Sequence, residues 1–213
     1  MGARRDQYIA DEGVGPESAR RSMTVDPYID PESGVLRNRL GIVDAALLRQ
    51  VEADLSLAAL ADLGIRPLPG RYDLEHLCAF HREVFGDVYP WAGEIRVVGI
   101  AKSNPFCLPR HIESYSAAVF EALAADRFLR GLDRIEFVAR LTHYLAEVNA
   151  IHPFREGNGR AQRAFFRQLA REAGWLIDWS ALDPDENART SMMSLRGENG
   201  PLRDLLERLV QQL

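Results

Sequence analysis

The chain has 213 residues, of which 46% are hydrophobic and 27% are charged, and its formal net charge at pH 7 is −5. A chain of this length and composition is typical of a globular protein whose core needs neither disulfides nor a structural metal. The acidic balance argues against a broad nucleic-acid-binding surface, because such surfaces need clustered Lys and Arg to neutralise phosphates.

The patterns that would mark a secreted or membrane-bound protein do not occur. Cys78 and Cys107 lie far apart and neither has a CxxC partner, so we predict no disulfide framework and no cysteine zinc site. No apolar run approaches the roughly 20 residues that cross a bilayer. Residues 1–6 lack the pattern of a cleaved signal or a myristoylation site. We therefore expect a cytoplasmic protein without membrane contact.

In chain order, the first predicted segment is an irregular arm over residues 1–34, which glycine and proline interrupt repeatedly. Residues 44–63 then carry apolar side chains at spacings of three and four, which predicts a helix. A second helix is predicted to start after Asp73, its N-cap, and to end before Gly86.

A β-hairpin is predicted between the second helix and the third. Residues 93–100 are rich in β-branched side chains, and residues 103–105 turn the chain before residues 106–108. The third helix is predicted to open at Pro109 and to run to about Gly131.

The next predicted helix is the central one. Asp133 and Glu136 resemble a capping box at its start. We expect it to bury one apolar stripe, made of Ile135, Val138, Leu141, Leu145 and Val148.

Three further helices complete the predicted fold, which is all-α with one hairpin. They cover residues 160–173, residues 185–195 and a last amphipathic segment after residues 199–201. The last helix carries an apolar face of Leu202, Leu205, Leu206 and Leu209.

The chemistry is concentrated in residues 152–163, after the central helix. A tight loop at the start of a helix favours an anion, because unpaired N–H groups and the positive end of the helix dipole converge there. Arg160 and Arg163, three residues apart, can grip phosphate oxygens. The loop itself consists of Gly157, Asn158 and Gly159.

Two further side chains complete the predicted site. Glu156 is placed to bind Mg²⁺, which commonly takes one or two carboxylates together with substrate phosphates. His152 is the only side chain of the segment that titrates near neutral pH, so it is the candidate general base. Each of these residues alone is more often a cap, a turn or a solvated charge, and we interpret Arg167 and Arg171 as a solvated face. The combination of the base, the carboxylate, the glycine loop and the arginines Arg160 and Arg163 in one segment predicts phosphate chemistry.

Residues 152–163 resemble the signature of Fic-domain proteins, His-x-Phe-x-(Asp/Glu)-Gly-Asn-Gly-Arg-x-x-Arg, at every fixed position. Residues 35–40 and 89–93 are similar to other segments of that family, so the resemblance covers about residues 35–210. It implies the Fic fold, a helical bundle with a short β-hairpin flap over the active site, in a domain of residues 35–213.

Fic enzymes transfer AMP from ATP to a hydroxyl side chain of a target protein, Ser, Thr or Tyr, and release pyrophosphate. The resemblance implies that His152 deprotonates this hydroxyl, that Glu156 holds Mg²⁺ and that Phe154 is a buried anchor. It also implies that the glycine loop binds the phosphates with help from the Asn158 side chain, and that the two arginines bind the β- and γ-phosphates. In the flap, Lys102 and Ser103 are candidate nucleotide contacts, and a solvated role for Lys102 stays open.

The resemblance leaves two alternatives open. The related Doc toxins phosphorylate their targets and carry a lysine where this chain has Gly159, so glycine favours AMP transfer, although UMP as the transferred group is not excluded. The chain could also be a catalytically silent nucleotide-binding module, although the intact His152 and Glu156 argue against this.

Many Fic proteins are inhibited by the glutamate of a Ser/Thr-x-x-x-Glu-Gly/Asn segment, which pairs with the second arginine, here Arg163. Residues 194–199 match formally, but Gly197 and the following residues 200–201, Gly and Pro, disfavour a helix there. Residues 8–13 match only with Tyr8 in place of Ser or Thr. We therefore expect a toxin-like enzyme that a separate small antitoxin inhibits. The resemblance alone suggests DNA gyrase B or a topoisomerase IV subunit as the target.

Overall fold

The computed structural model describes residues 26–101 and 105–213. Over these residues the chain forms seven α-helices: α1 (Ala45–Ile65), α2 (Leu74–Phe85), α3 (Ile112–Ala125), α4 (Arg134–Ile151), α5 (Asn158–Glu172), α6 (Pro184–Leu195) and α7 (Gly200–Leu209). Two strands, β1 (Trp175–Ile177) and β2 (Val210–Gln212), pair antiparallel with Ile177 opposite Val210. The predicted all-α fold with a small β element is confirmed.

Aspartate side chains fix the starts of the helices that the sequence analysis placed by their caps. Asp73 accepts a hydrogen bond from the His76 N–H at 2.8 Å, and Asp133 accepts one from the Glu136 N–H at 2.9 Å. Each bond satisfies an N–H that has no partner inside its helix. Gly86 follows α2 directly, as predicted.

The predicted third helix is divided. A 3₁₀ turn at Pro109–His111 leads into α3, and a second 3₁₀ turn at Arg127–Leu129 follows it. The backbone of Phe128 is left-handed, with φ 54°, so a right-handed helix cannot continue to Gly131.

The main core lies between α2, α3, α4 and α5. The ring of Phe165 on α5 is fully buried, and the rings of Phe80, Phe120 and Tyr72 lie 5.4 to 5.8 Å from it, centre to centre. These distances are typical of favourable aromatic pairs. The four leucines predicted on α7 are also buried.

One residue of the predicted stripe on α4 is not buried. Ile135 is 69% exposed, so its assignment to the core is wrong, whereas the other four stripe residues are buried. Ile135 lies in the first turn of α4, where Phe137 and Val138 take the inward positions. The stripe therefore begins one turn later than the apolar spacing predicted.

The predicted hairpin is a loose antiparallel approach of two chain segments. An isolated bridge joins Ala101 to Pro105, and the Phe106 N–H donates to the Ile100 carbonyl at 3.2 Å. Lys102 and Ser103, the predicted flap contacts, lie outside the described residues. The regular pairing of β1 with β2 is elsewhere in the fold and was not predicted.

The described part of the predicted N-terminal arm packs against the domain. Asp26 forms an ion pair with Arg155, Oδ2 to Nε 2.8 Å, and the buried Tyr28 meets the ring of Trp91 edge-on at 5.3 Å. Residues 1–25, and with them the weak inhibitory match at Tyr8, lie outside the described residues. A helix with the length and apolar character to span a membrane does not occur in the described ranges.

Candidate active site

The segment between α4 and α5 is supported by α2. α4 ends at Ile151 and is capped by His152, whose backbone is left-handed with φ 47° and whose N–H donates to the Val148 carbonyl at 3.1 Å. Phe154 is fully buried and its ring stacks on His81 at 3.9 Å between centroids. Nε2 of His81 lies 2.9 Å from the Glu156 carbonyl oxygen, so α2 holds the loop at two points.

The hydrogen bonds of His81 determine its tautomer. Nδ1 accepts from the Gly93 N–H at 2.8 Å, so Nε2 carries the proton and donates to Glu156. Burial lowers the pKa of His81 to about 4, which keeps the ring neutral near pH 7. His81 lies within the predicted second helix, but its role was not predicted, because both of its hydrogen-bond partners lie outside that helix.

The glycine loop is closed by Asn158. Its Oδ1 accepts from the Phe154 N–H at 2.9 Å and its Nδ2 donates to the Phe154 carbonyl at 2.7 Å, and the side chain is buried. The predicted contact between this side chain and a phosphate does not fit this geometry. Asn158 can instead donate a hydrogen bond to an anion through its backbone N–H at the N-terminus of α5.

Gly157 is required by both its conformation and its surroundings. Its φ is 80°, and a Cβ at this position would lie 2.4 Å from Cε2 of Phe85. Only glycine adopts this conformation without strain and leaves room for the ring. The loop therefore lies directly on the end of α2, and the N-terminus of α5 remains accessible at the exposed Gly159.

The ring of His152 contacts the flap and the end of α4. It stacks on Phe106 with 3.7 Å between centroids, and Nδ1 lies 3.2 Å from the Asn149 carbonyl oxygen. A carbonyl only accepts, so we assign the proton to Nδ1, and Nε2 then carries the lone pair that a general base needs. This orientation agrees with the predicted role.

Glu156 is exposed enough for its carboxylate to share a metal with a substrate. Its side chain is 48% exposed, and one oxygen accepts from the Gly157 N–H at 2.9 Å. Within residues 26–101 and 105–213, no group of three or more His, Cys, Asp and Glu side chains could hold a metal ion by itself. One carboxylate fits Mg²⁺, whose remaining ligands are commonly water and substrate phosphates.

The two arginines of the motif have different surroundings. Arg160 forms an ion pair with the buried Glu52 of α1, donates to Ser56 Oγ at 2.9 Å, and lies over the Phe85 ring at 4.6 Å. These contacts turn Arg160 toward α1 and differ from the predicted direct grip on phosphates. Arg160 acts in this structure as a link between α1 and the loop.

Arg163 instead lines the cavity that contains His152. Burial lowers the pKa of its guanidinium, and the nearby Arg160 lowers it further. No carboxylate among the described residues forms an ion pair with Arg163. A half-buried cation in this setting is stabilised by an incoming anion.

Five of the predicted site residues meet in one cavity of about 510 Å³, a size typical of small-molecule sites. His152, Glu156, Asn158, Gly159 and Arg163 all line it. Other lining residues were not predicted, since a sequence pattern does not show which side chains will face a shared cavity. They include Asp26, Asn149, Arg155, Gln162, Trp179, Asn187 and Ser191.

Comparisons with known proteins match this arrangement. Residues 71–170 match the Fic/DOC family. The protein adenylyltransferase VbhT of Bartonella schoenbuchensis is 46% identical over 184 residues, which are 86% of this chain and 38% of VbhT. The Salmonella typhimurium protein named "Probable protein adenylyltransferase Fic" is 36% identical over 188 residues, which are 88% of this chain and 93% of that protein. This chain thus corresponds to well under half of VbhT and to nearly all of the Salmonella protein.

A solved structure confirms the fold. The N-terminal Fic domain of a VirB-translocated Bep effector protein from Bartonella quintana, with bound ADP, superposes with a TM-score of 0.81 at 26% identity over 87% of this chain and 94% of that chain. The Fic fold that the signature implied is therefore present. Because the likeness to the Salmonella protein reaches 36% identity and extends far beyond the signature, this chain belongs to the Fic/DOC family.

Proposed function

We propose that this chain is a protein adenylyltransferase, which transfers AMP from ATP to a hydroxyl side chain of a target protein and releases pyrophosphate. The observation that carries the proposal is the single cavity in which a base, an accessible helix N-terminus and an arginine meet, at His152, Gly159 and Arg163. The relatives named protein adenylyltransferases, at 46% and 36% identity, support the same reaction. The ADP bound to the Bartonella quintana domain supports a nucleotide as the ligand.

The reaction needs one proton transfer and one displacement at phosphorus. Nε2 of His152 takes the proton of the target hydroxyl while the hydroxyl oxygen attacks the α-phosphorus of ATP. An O–P bond forms, the bond from the α-phosphorus to the bridging oxygen breaks, and pyrophosphate leaves. A positioned base of this kind contributes roughly 10²–10⁴ in rate.

The remaining groups of the site neutralise phosphate charge. The N-terminal N–H groups of α5 bind phosphate oxygens, and Arg163 pairs with the outer phosphates. Glu156 would hold Mg²⁺ together with the ATP phosphates, and the ion, when bound, supplies positive charge to them. Arg160 holds the loop in place through Glu52 and Ser56.

The cavity wall formed by α4, α6 and α7 suits the nucleoside. It presents the apolar side chains of Leu145, Leu202 and Leu206 together with the polar side chains of Asn187 and Ser191. An apolar surface with a few polar groups is typical of a site that binds a base. Adenine fits this wall, and uracil is the alternative that nucleotide competition distinguishes.

Gly159 supports transfer of AMP over transfer of the γ-phosphate. A Cβ at this position would lie 3.2 Å from Nη1 of Arg163, so a longer side chain would crowd the arginine. With glycine at this position, Arg163 can bind the outer phosphates, and the α-phosphate then faces His152.

The test is label transfer into a cell lysate with Mg²⁺ and either α-labelled or γ-labelled ATP. Relative to the same lysate with His152→Ala, we expect additional protein labelling from α-labelled ATP alone, because AMP retains the α-phosphate and the γ-phosphate leaves in pyrophosphate. Labelling from γ-labelled ATP alone would establish phosphorylation instead. Competition with unlabelled UTP separates UMP transfer from AMP transfer.

The competing function is a nucleotide-binding module without turnover. It predicts nucleotide binding by the wild type, measured by calorimetry, together with no label transfer under any condition. The intact His152 and Glu156 favour the enzyme, since binding alone needs no base.

We further propose that a separate small antitoxin supplies an inhibitory carboxylate to Arg163. Arg163 also lines a second pocket of about 340 Å³ with Leu60, Leu63 and Pro67, which leaves room for a partner's side chains. The internal candidate Glu198 is exposed and follows the end of α6 at Leu195, and Gly197 has φ 85°. A helix that carries Glu198 into the site is not present in this arrangement.

Internal inhibition by Glu198 can be tested with one variant. We expect the isolated wild type and Glu198→Ala to transfer label at the same rate, because Glu198 does not occupy the site. A large rise in activity in Glu198→Ala would place the inhibitor within the chain. The target is proposed to be a cytoplasmic protein, with gyrase B or a topoisomerase IV subunit as the first candidates, and mass spectrometry of the labelled lysate band identifies it.

A further inference from the structure

Arg96 is a buried cation between the two chain segments of the predicted flap, residues 93–101 and 105–108, and the catalytic loop, residues 152–159. It is only 1% exposed. Its Nε donates to the His152 carbonyl at 2.8 Å, and Nη1 donates to the Val98 carbonyl at 2.8 Å. Its Nη2 donates to the Cys107 carbonyl at 2.5 Å and lies 3.4 Å from the Ile151 carbonyl. One guanidinium thus contacts three chain segments.

The charge of Arg96 is balanced by backbone carbonyls. Among the described residues, no carboxylate forms an ion pair with it. Two of its acceptors, the carbonyls of Ile151 and His152, lie at the C-terminal end of α4, where carbonyls lack partners within the helix and the helix dipole is negative. Burial lowers the pKa of Arg96 to about 10, which still leaves it charged near pH 7.

Backbone hydrogen bonds around Arg96 join the same chain segments to one another. The Arg96 N–H donates to the Pro153 carbonyl at 2.9 Å, and the Cys107 N–H donates to the Ala150 carbonyl at 2.9 Å. Next to Cys107, the ring of Phe106 stacks on the ring of His152. Both chain segments of the flap are therefore attached to the end of α4, directly beside the base.

His152 depends on such support because its backbone conformation is unfavourable. A non-glycine residue with φ 47° is strained, and strain persists only where the surroundings hold it. The hydrogen bond from Arg96 Nε fixes the direction of the His152 carbonyl and therefore the direction from which its side chain leaves the backbone.

We propose that Arg96 is a positioning residue that fixes His152 and both chain segments of the flap in one register. This inference rests on the proposed function for its kinetic consequence. The attacking hydroxyl, presented beside the flap, and the base that deprotonates it then keep a constant separation. Arg96 itself touches no reacting atom.

The variant that tests this role is Arg96→Lys, with Arg203→Lys on the exposed face of α7 as its control. Lysine keeps the charge but cannot bond to four carbonyls from a planar fork. We expect kcat to fall about 10- to 100-fold, as for a base displaced by about 1 Å. KM for ATP should change less than about threefold, because no contact of Arg96 involves Arg163 or the N-terminus of α5. An unchanged kcat, or a loss confined to KM for ATP, contradicts the inference.

A second readout does not depend on activity. The chain has five histidines, so isotope-labelled histidine gives a simple NMR spectrum in which His152→Ala identifies the His152 signals. We expect Arg96→Lys to shift the ring signals and the titration of His152 and to leave those of His76 unchanged. Unchanged His152 signals contradict the inference. If the wild type transfers no AMP, the proposed function fails, and this spectrum still decides the role of Arg96.

The wild type alone provides a third readout in case Arg96→Lys does not fold. The Arg96 Nε–H is buried and bonded to His152, so its exchange with solvent should be at least about 100-fold slower than that of the exposed Arg203 Nε–H. Equal exchange rates would show that Arg96 does not hold His152.

Discussion

Gly157 lies against the ring of Phe85, so the shape of the catalytic loop depends on the absence of one side chain. The loop also depends on Asn158, which bonds to both backbone groups of Phe154. Residue types in the motif therefore divide into those that face the cavity and those that shape the loop. Sequence predicts the first group by chemistry, but it does not give the direction in which a side chain points.

Arg160 and Arg163 illustrate that limit. Both carry the same charge and stand three residues apart near the start of α5, and both were predicted to contact phosphates. Arg160 turns to Glu52, which is more than a hundred residues earlier in the chain, whereas Arg163 lines the cavity. Only the packing of α1 on α5 distinguishes them.

We expect Gly157→Ala to lower the free energy of unfolding by about 2–4 kcal/mol. About 1–2 kcal/mol comes from the left-handed backbone and the rest from the contact with Phe85. Gly174→Ala is the matched control, because Gly174 has φ 91° but nothing within 4 Å of its Cβ position. Urea unfolding measures both variants, and equal losses would show that the contact with Phe85 does not matter.

At the scale of elements, local signals located the helices and non-local contacts decided the rest. The caps Asp73 and Asp133 predicted the starts of α2 and α4 correctly, because a cap acts within three residues. β1 and β2 escaped prediction, since three-residue strands that pair across more than thirty positions have no local pattern. Ile135 fitted the apolar spacing of α4 but is exposed, because Phe137 and Val138 take the inward positions at that turn.

The attachment of α1 to the catalytic loop depends on one carboxylate. Glu52 is 7% exposed, accepts from the Tyr89 hydroxyl and pairs with Arg160. We expect Glu52→Ala to lower the free energy of unfolding by about 2–4 kcal/mol, because it removes the main partner of the half-buried Arg160 and leaves the buried Tyr89 hydroxyl without its acceptor. The matched control is Glu207→Ala, which removes an exposed pair with Arg203 and should lower it by less than about 1 kcal/mol. Equal losses in urea unfolding would contradict a structural role for Glu52.

At the scale of the whole molecule, buried histidines should make stability depend on pH. Burial lowers the pKa of His81 from 6.5 to about 4, and burial also lowers the pKa of His76. Below about pH 6.5 the His81 ring of the unfolded chain binds a proton, whereas the same ring in the folded chain binds it only near pH 4. Stability is therefore fully present above 6.5 and falls as pH falls toward 4.

For His81 the expected loss is about 2 kcal/mol between about pH 7 and about pH 5. Urea unfolding in the presence of EDTA measures it, and the wild type is compared with His81→Gln, which has no group that titrates in this range. The difference in stability between the two proteins should shrink as pH falls. A constant difference would show that the pKa of His81 is not lowered in the folded state.

The fold brings five predicted residues of the segment 152–163 to one cavity, and we propose that Nε2 of His152 is the base. The most direct test is intact-protein mass spectrometry of the labelled target after incubation with ATP, Mg²⁺ and either the wild type or His152→Ala. We predict a mass increase of one AMP group on a hydroxyl side chain with the wild type, and an initial rate at least about 100-fold lower with His152→Ala. A phosphate adduct, or the same AMP adduct at the same rate with both proteins, would contradict the account.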